Sequence, residues 1–189
     1  MQLGFVHESK YCTGCKACTV ACKDKHNSDV GQNYRRVTEI EGGSFAKRGD
    51  GYVNTVYSYN VSISCNHCED PKCVKNCPSG AMKKDPKTGI VAIDENICIG
   101  CGYCSWSCPY NAPQLNKKKG VMEKCDFCKE AQEKGEEPAC VAACPLRLLH
   151  YGDIEKLRKD YPVEGKVKIM PDDAVTKPSL VIVPHKDSV

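Results

Sequence analysis

Sixteen cysteines fall into four groups of four with none left over: Cys12, Cys15, Cys18, Cys22; Cys65, Cys68, Cys73, Cys77; Cys98, Cys101, Cys104, Cys108; and Cys125, Cys128, Cys140, Cys144. The first and third groups read C-x2-C-x2-C-x3-C, while the second and fourth widen one gap to x4 and x11. Such thiols can serve as disulfide partners or as metal ligands, and their spacing separates these chemistries. A disulfide framework also has an even count, but cysteines at every third residue would have to ignore near neighbours and cross-link at a distance. Structural zinc takes two CxxC knuckles a dozen or more residues apart, because a tetrahedral ion needs ligands from two directions, and only the fourth group fits that pattern. The triple C-x2-C-x2-C suits an iron–sulfur cubane. One tight loop delivers three thiolates to three neighbouring irons, while its backbone N–H groups point at the cluster sulfurs. Four such groups predict four [4Fe–4S] clusters.

Composition agrees with this reading. Cysteine makes up about 8 % of the chain, near the level that marks a cysteine-organised scaffold. The 189 residues hold three Phe and one Trp, little apolar bulk for a core. The formal charge of +3 counts every cysteine as neutral; a [4Fe–4S] core with four thiolates totals about −2, so four clusters move the balance to roughly −5. A nucleic-acid partner is therefore not expected. The lysines and arginines have a different task, offsetting cluster charge and contacting protein partners. No Ser/His/Asp array, phosphate-cradling Gly loop, GxGxxG or paired-carboxylate site stands out, so catalysis is expected to belong to another protein. MQLGFVHESKYC has neither a basic leader nor an apolar run of signal-peptide length, and the longest aliphatic run, LVIV at Leu180–Val183, is far too short to span a bilayer. The expectation is a soluble chain without its own export signal or membrane span.

The elements that must position these thiols follow from the surrounding sequence. Proline succeeds the last cysteine of three groups, at Pro78, Pro109 and Pro145, and ends the short helix between third and fourth cysteines. In two-cluster ferredoxins that fourth cysteine serves the other cluster. The chain also repeats itself: GFVHESKYCTGC at Gly4–Cys15 matches GIVAIDENICIGC at Gly89–Cys101, and CPSGAM at Cys77–Met82 matches CPLRLL at Cys144–Leu149. AMKKDPKTGIVAID, with its Pro- and Gly-containing turn, reads as the central hairpin of one ferredoxin unit, which joins the second and third groups. The first and fourth groups then form the other unit, with LGFVHE and LLHYGD as candidate paired strands. Sequential pairing would require the 42 residues from Lys23 to Ser64 to act as a tight hairpin.

The expected fold is α+β: two nested bacterial two-cluster-ferredoxin-like units, small sheets and short helices around [4Fe–4S] clusters, with an inserted strand and loop segment and an extended C-terminal tail. Residues 1–22 plus 110–152 make the outer unit, 65–109 the inner unit and 23–64 the insertion. Within the insertion, Val53, Thr55, Tyr57, Tyr59, Val61 and Ile63 alternate with mostly polar residues and predict one strand at about 53–64. Residues 153–189 begin with a helix, DIEKLRKDY, with Ile154 and Leu157 on one face, and end in SLVIVP, expected to be a docking strand for a partner. Ligand exchange inside each unit assigns cluster 1 to Cys12, Cys15, Cys18 and Cys144, and cluster 2 to Cys65, Cys68, Cys73 and Cys108. It assigns cluster 3 to Cys98, Cys101, Cys104 and Cys77, and cluster 4 to Cys125, Cys128, Cys140 and Cys22.

YCTGCKACTVACKD, SISCNHCEDPKC, CPSGAM, CIGCGYCSWSCPYNAPQ, CPLRLLHYGDIEKLR and TKPSLVIVP together resemble the iron–sulfur electron-transfer subunit of the anaerobic dimethyl sulfoxide reductase family of molybdopterin oxidoreductases. The resemblance runs over nearly the whole chain and is more specific for four-cluster subunits as a group than for one substrate. It implies a wire between a molybdopterin-containing catalytic subunit and an integral-membrane anchor that oxidises quinol. It also implies an extracytoplasmic, periplasmic position, reached by export alongside the catalytic subunit, and it nests the first and fourth groups around the second and third. Some relatives replace a cysteine of the third group and hold a three-iron cluster there; all four are present here. A free polyferredoxin shuttling between soluble enzymes is the alternative function, and a zinc-organised interaction module the third.

Four other residues and one run belong to the candidate list. His67, between Cys65 and Cys68, either tunes a cluster through a hydrogen bond or is a polar loop residue. Trp106, between Cys104 and Cys108, either shields a cluster from water or simply packs. Arg35 and Arg36 lie in NYRRV, similar to a family segment near the catalytic subunit, and are candidates for partner contact or an ordinary exposed pair. Lys117, Lys118 and Lys119 read as a solvated turn or a face for an acidic partner.

Overall fold

The computed structural model describes residues 1–163 and 167–188. In chain order its elements are β1 (Leu3–Glu8), α1 (Ala17–Lys25), β2 (Arg36–Gly42), β3 (Phe45–Arg48), β4 (Gly51–Asn54), β5 (Tyr57–Ile63), α2 (Lys72–Lys75), β6 (Met82–Lys84), β7 (Val91–Ile93), α3 (Tyr103–Trp106), β8 (Gln114–Asn116), β9 (Val121–Glu123), α4 (Lys129–Glu133), α5 (Ala139–Ala142), β10 (Leu149–Asp153), α6 (Ile154–Asp160) and β11 (Leu180–Val183). Short helices and small sheets of this kind make an α+β chain consistent with a ferredoxin-like fold.

Helix length follows what succeeds the fourth cysteine. In α2, α3 and α5 the Cys-Pro pair arrives just after four helical residues and stops the ladder. Cys22 is followed by Lys23 instead, and α1 runs for nine residues. Each of these four helices carries the third cysteine of its group, and α1 carries the fourth as well. Helix α1 packs against α5, and α2 against α3.

The strand expectations meet the structure in three ways. β1 pairs antiparallel with β10 from Leu3↔Asp153 to His7↔Leu149, joining LGFVHE to LLHYGD. β6 and β7 close the hairpin read from AMKKDPKTGIVAID, and α6 buries Ile154 and Leu157 behind an Asp153 cap whose side chain accepts the Glu155 N–H. The single strand expected at 53–64 is corrected to two: β4 pairs with β3 and β5 with β2. Between them Asn54 Oδ1 accepts the Val56 N–H at 2.8 Å, and Thr55 N–H donates to the Ser44 carbonyl at 3.0 Å, so the chain changes sheets where alternation alone continues. Tyr59 and Val61 are buried, whereas Val53 and Val56 are exposed on the outer hairpin. SLVIVP, expected as a docking strand for a partner, has one of its edges taken up within the chain. β11 lies parallel to β1, from Phe5↔Leu180 to Glu8↔Val183, so one of its backbone edges completes the chain's own β10-β1-β11 sheet. Val181 packs there with Val6, Ile154 and Leu157.

The main core mixes thiols with hydrocarbon. Cys18, Cys22, Cys65, Cys125 and Cys140 sit among Leu3, Phe5, Tyr34, Ile90, Phe127, Val141 and Leu149. A smaller cluster of Met82, Val91, Cys104 and Met122 packs with Cys73, Cys77 and Cys98. Phe5 stacks on Phe127 with ring centroids 4.2 Å apart, and His67 meets Phe127 in an edge arrangement at 5.1 Å. These rings tie the N-terminal strand to the CxxC loops of the second and fourth groups.

Candidate metal centres

Each CxxC loop is built on one backbone device. The residue before the second cysteine is left-handed in all four groups: Gly14 at φ 71°, His67 at 42°, Gly100 at 65° and Phe127 at 67°. That conformation reverses the chain tightly between the two thiols. At Gly14 a Cβ would collide with the Asn60 side chain, and at Gly100 with the Gly120 carbonyl, so glycine meets both the dihedral and the space. His67 and Phe127 adopt the same conformation with side chains, at a cost of about 1–2 kcal/mol each, and both are fully buried.

Backbone amides then converge on sulfur. Met82 N–H donates to Cys77 Sγ at 3.4 Å, Ala112 N–H to Cys108 Sγ at 3.5 Å and Leu148 N–H to Cys144 Sγ at 3.3 Å, the same contact after three different Cys-Pro turns. Cys98 Sγ accepts from Met122 N–H and Cys125 Sγ from Phe127 N–H, both at 3.4 Å.

None of the sixteen cysteines is in a disulfide, and their neighbours are other cysteines. The Cys12 thiol faces Cys18, Cys15 and Cys144. Cys22 faces Cys140 and Cys128, and Cys125 faces Cys22, Cys65 and Cys140. Cys73 faces Cys65, Cys108 and Cys68. Cys104 faces Cys98 and Cys101, and these three share a small apolar cavity with Cys77. Burial, reinforced by neighbouring thiols, pushes Cys22 and Cys73 up to about 12 and Cys104 to about 11, and holds Cys125 well above the ordinary thiol range. Burial likewise raises Cys68 to about 12, with Cys65 and Cys108 adding to it. At Cys77 burial is outweighed by the Met82 N–H and the Ser79 hydroxyl, and its pKa is lowered. Desolvated thiols at this density become thiolates only where a cationic core replaces their protons. The donor set therefore fits iron–sulfur clusters, and orphaned donors fit them too. Arg35 Nε, His67 Nε2 and Asn66 Nδ2 are buried with no hydrogen-bond partner, beside cysteines whose clusters would present acceptor sulfurs.

The remaining candidates divide. His67 is no exposed loop residue: its Nδ1 accepts the Val91 N–H at 3.0 Å, which leaves the proton on the orphaned Nε2. Burial, then the charges of Lys124, Lys84 and Arg35, keep it neutral, with a pKa well below the ordinary histidine value. Trp106 lies out of the core, 81 % exposed and tilted against Tyr103. Arg35 is not a surface contact for a partner, because it is 1 % exposed. Consecutive residues at the entry to β2 point to opposite sides, so Arg35 enters the core while Arg36, part-buried, donates to the Tyr110 carbonyl at 2.6 Å. Of the lysine run in the β8–β9 turn, Lys118 pairs with Asp29 at 2.7 Å, and Lys119 with Glu123 at 2.8 Å and Glu95 at 3.1 Å.

The structure adds residues that motif reading passed over. Lys124, directly before Cys125, is buried. His26 Nε2 lies 4.0 Å from Cys128 Sγ and 3.6 Å from Asp126 Oδ1, an extension of the Cys125–Cys128 loop onto the end of α1. Adjacency to a cysteine was the only sequence signal for Lys124, and His26 had none. Among the described residues no helix is long and apolar enough to cross a membrane.

Comparison with known proteins agrees with this geometry. Residues 56–154 match the 4Fe-4S dicluster domain model. The chain is 46 % identical over 187 residues to the B subunit of anaerobic dimethyl sulfoxide reductase from Escherichia coli, covering 99 % of this chain and 91 % of that one. It is 45 % identical over 186 residues to the corresponding subunit of Haemophilus influenzae, covering 98 % and 90 %. It is 40 % identical over 157 residues to the thiosulfate reductase electron transfer subunit of Salmonella typhi, covering 82 % and 78 %. Crowded cysteines, amide-lined sulfurs and a 45–46 % identity over nearly the full length lead to one conclusion: the chain belongs to the family of iron–sulfur electron-transfer subunits typified by the B subunit of anaerobic dimethyl sulfoxide reductase.

Proposed function

We propose that this chain holds four [4Fe–4S] clusters and relays electrons between a membrane anchor that oxidises quinol and a molybdopterin-containing catalytic subunit, with chemistry like that of dimethyl sulfoxide reductase. The observation that carries the reading is the interleaving of thiols: cysteines distant in sequence lie near one another, which supports the sets expected from ligand exchange. Cys12 beside Cys144 supports cluster 1 (Cys12, Cys15, Cys18, Cys144). Cys108 beside Cys65 supports cluster 2 (Cys65, Cys68, Cys73, Cys108). The cavity lined by Cys77 with Cys98, Cys101 and Cys104 supports cluster 3, and Cys22 beside Cys140 and Cys128 supports cluster 4 (Cys125, Cys128, Cys140, Cys22). The packing of α1 on α5 and α2 on α3 favours two nested ferredoxin-like units.

Bound clusters supply one-electron chemistry; the chain's residues hold them, order them and tune them. Helix α1 holds cysteines of clusters 1 and 4, α5 and the Cys-Pro turn after it hold Cys140 of cluster 4 and Cys144 of cluster 1, and α2, α3 and the Cys-Pro turns that follow them hold those of clusters 2 and 3. Cys125 faces Cys65, which brings cluster 4 beside cluster 2. The order is therefore 1–4–2–3. Cys15 and Cys101, in the two terminal groups, are exposed where the inner groups have none, so electrons enter and leave at the ends. The naming of relatives as subunits of reductases supports partner proteins, and the resemblance supports export beside the catalytic subunit to the extracytoplasmic face.

Anaerobic purification tests this reading. About sixteen iron and sixteen acid-labile sulfide per chain are expected, with co-elution of a molybdenum-containing subunit from detergent-solubilised membranes. Four zinc without sulfide refutes the clusters. A stable monomer in native extract, with full iron and no co-eluting molybdenum, replaces the subunit reading with a free polyferredoxin.

A further inference from the structure

Two cations lie in the protein interior where carboxylates are absent. Arg35 Nη1 donates to Ser62 Oγ at 3.2 Å and Nη2 to Ser64 Oγ at 3.1 Å. Its guanidinium carbon stands 4.8 Å from the Phe5 ring centroid, and Nε has no hydrogen-bond partner. Its charged neighbours are the thiols of Cys140, Cys125 and Cys18, and its own backbone N–H reaches Cys22. Lys124 is 6 % exposed, and its ammonium donates to the carbonyls of Val91 and Cys125. It acts on Cys73, Cys108 and Cys125. Among the described residues neither cation has a carboxylate within ion-pair distance.

An unpaired buried charge is strongly unfavourable unless an anion compensates it. Hydroxyl and carbonyl oxygens solvate these two without neutralising them. The remaining compensation has to come from cluster thiolates and sulfides, and each cation acts on thiols assigned to two clusters. Arg35 acts on those of clusters 1 and 4, Lys124 on those of clusters 4 and 2, and both act on Cys125.

We propose that Arg35 and Lys124 are fixed positive charges beside the cluster of Cys22, Cys125, Cys128 and Cys140, and that they raise its reduction potential relative to the cluster of Cys77, Cys98, Cys101 and Cys104. The inference rests on the four-cluster reading. Reduction adds one electron and no proton to a cluster, the electron arriving from the neighbouring cluster in turnover or from dithionite in a titration. A cation held in a low-dielectric interior favours the more negative product. Cys77 and Cys104, of the comparison cluster, have no such cation among their charged neighbours. Arg35 remains charged at any working pH, so its contribution is constant.

The test is an EPR-monitored potentiometric titration of the anaerobically purified complex, with iron and sulfide counted in the same samples. Arg35→Gln and Lys124→Gln remove charge while keeping donors; Arg35→Lys and Lys124→Arg keep it. Each Gln variant is expected to lower the reduction equilibrium constant of the flanked cluster about tenfold, which is about 59 mV for a one-electron couple. Arg35→Gln also lowers the cluster of Cys12, and Lys124→Gln that of Cys65, while the Cys98 cluster stays put and the charge-retaining variants titrate like wild type. Full iron with unmoved midpoints overturns the proposal, as does an equal shift in all four clusters. Should one Gln variant fail to assemble, the other decides. Failure of both, with charge-retaining variants intact, assigns these charges to folding and also overturns it. A wild-type iron count far from sixteen overturns the four-cluster reading instead.

Discussion

At single residues, burial decides chemistry more often than residue type does. His7 lies in β1, 1 % exposed, with Nε2 3.4 Å from the Asn60 carbonyl. Burial, opposed by that contact and reinforced by Arg35, lowers its pKa to about 4. Native His7 therefore stays neutral where an unfolded chain binds a proton, near 6.5. Between these values the unfolded state holds more protons, so stability falls as pH falls through the window, is unaffected above it and levels off below about 4. At pH 5 the loss is about 2 kcal/mol. Thermal midpoints at fixed scan rate under anoxic conditions should drop from pH 7 to pH 5 in wild type, and by visibly less in His7→Gln; equal drops would assign the pH dependence elsewhere. Arg35 makes the same point about type. Its sequence neighbourhood, NYRRV, gives no sign of which arginine turns inward, because strand phase is set by pairing with β5 and not by the dipeptide.

Among elements, the short helices are what the proposed ligand exchange depends on. α3 holds Cys104, and the turn after it sends Cys108 to the Cys65 side, where its sulfur accepts the Ala112 N–H. Cys108→Ser should therefore alter the cluster of Cys65, Cys68 and Cys73, abolishing about one of four EPR signals or converting it to a three-iron type. Selective loss of the Cys98 cluster would show that ligands stay within their own motif. Helix termination was legible in sequence because Cys-Pro has a local, steric consequence. The β6–β7 hairpin was legible for the same reason, through its Pro and Gly turn. The β4–β5 break was not: polar and apolar residues alternate straight through Thr55, and the run is divided by contacts of Thr55 with Ser44 in the β2–β3 turn and by the Asn54–Val56 turn.

For the whole molecule, metal binding and folding are expected to be one equilibrium. Thiols occupy the centre of a core with few large side chains, and two buried cations lack carboxylates. Structural metal sites contribute on the order of 10 kcal/mol, comparable to the entire stability of a domain. Stripping iron with ferricyanide and a chelator should abolish near-UV dichroism and protease resistance; an apo chain that keeps both would show that hydrocarbon packing suffices. The sequence by itself determined the ligand type, the grouping of thiols, the helix stops and the α+β class, because these depend on contacts within a few residues. Tertiary structure alone decided that Arg35 and Lys124 are interior charges, that Trp106 faces water, that β11 completes the chain's own sheet, and which distant thiols meet. Those outcomes depend on the closure of β1 against β10 and β11, contacts between chain segments more than a hundred residues apart, for which local patterning holds no information.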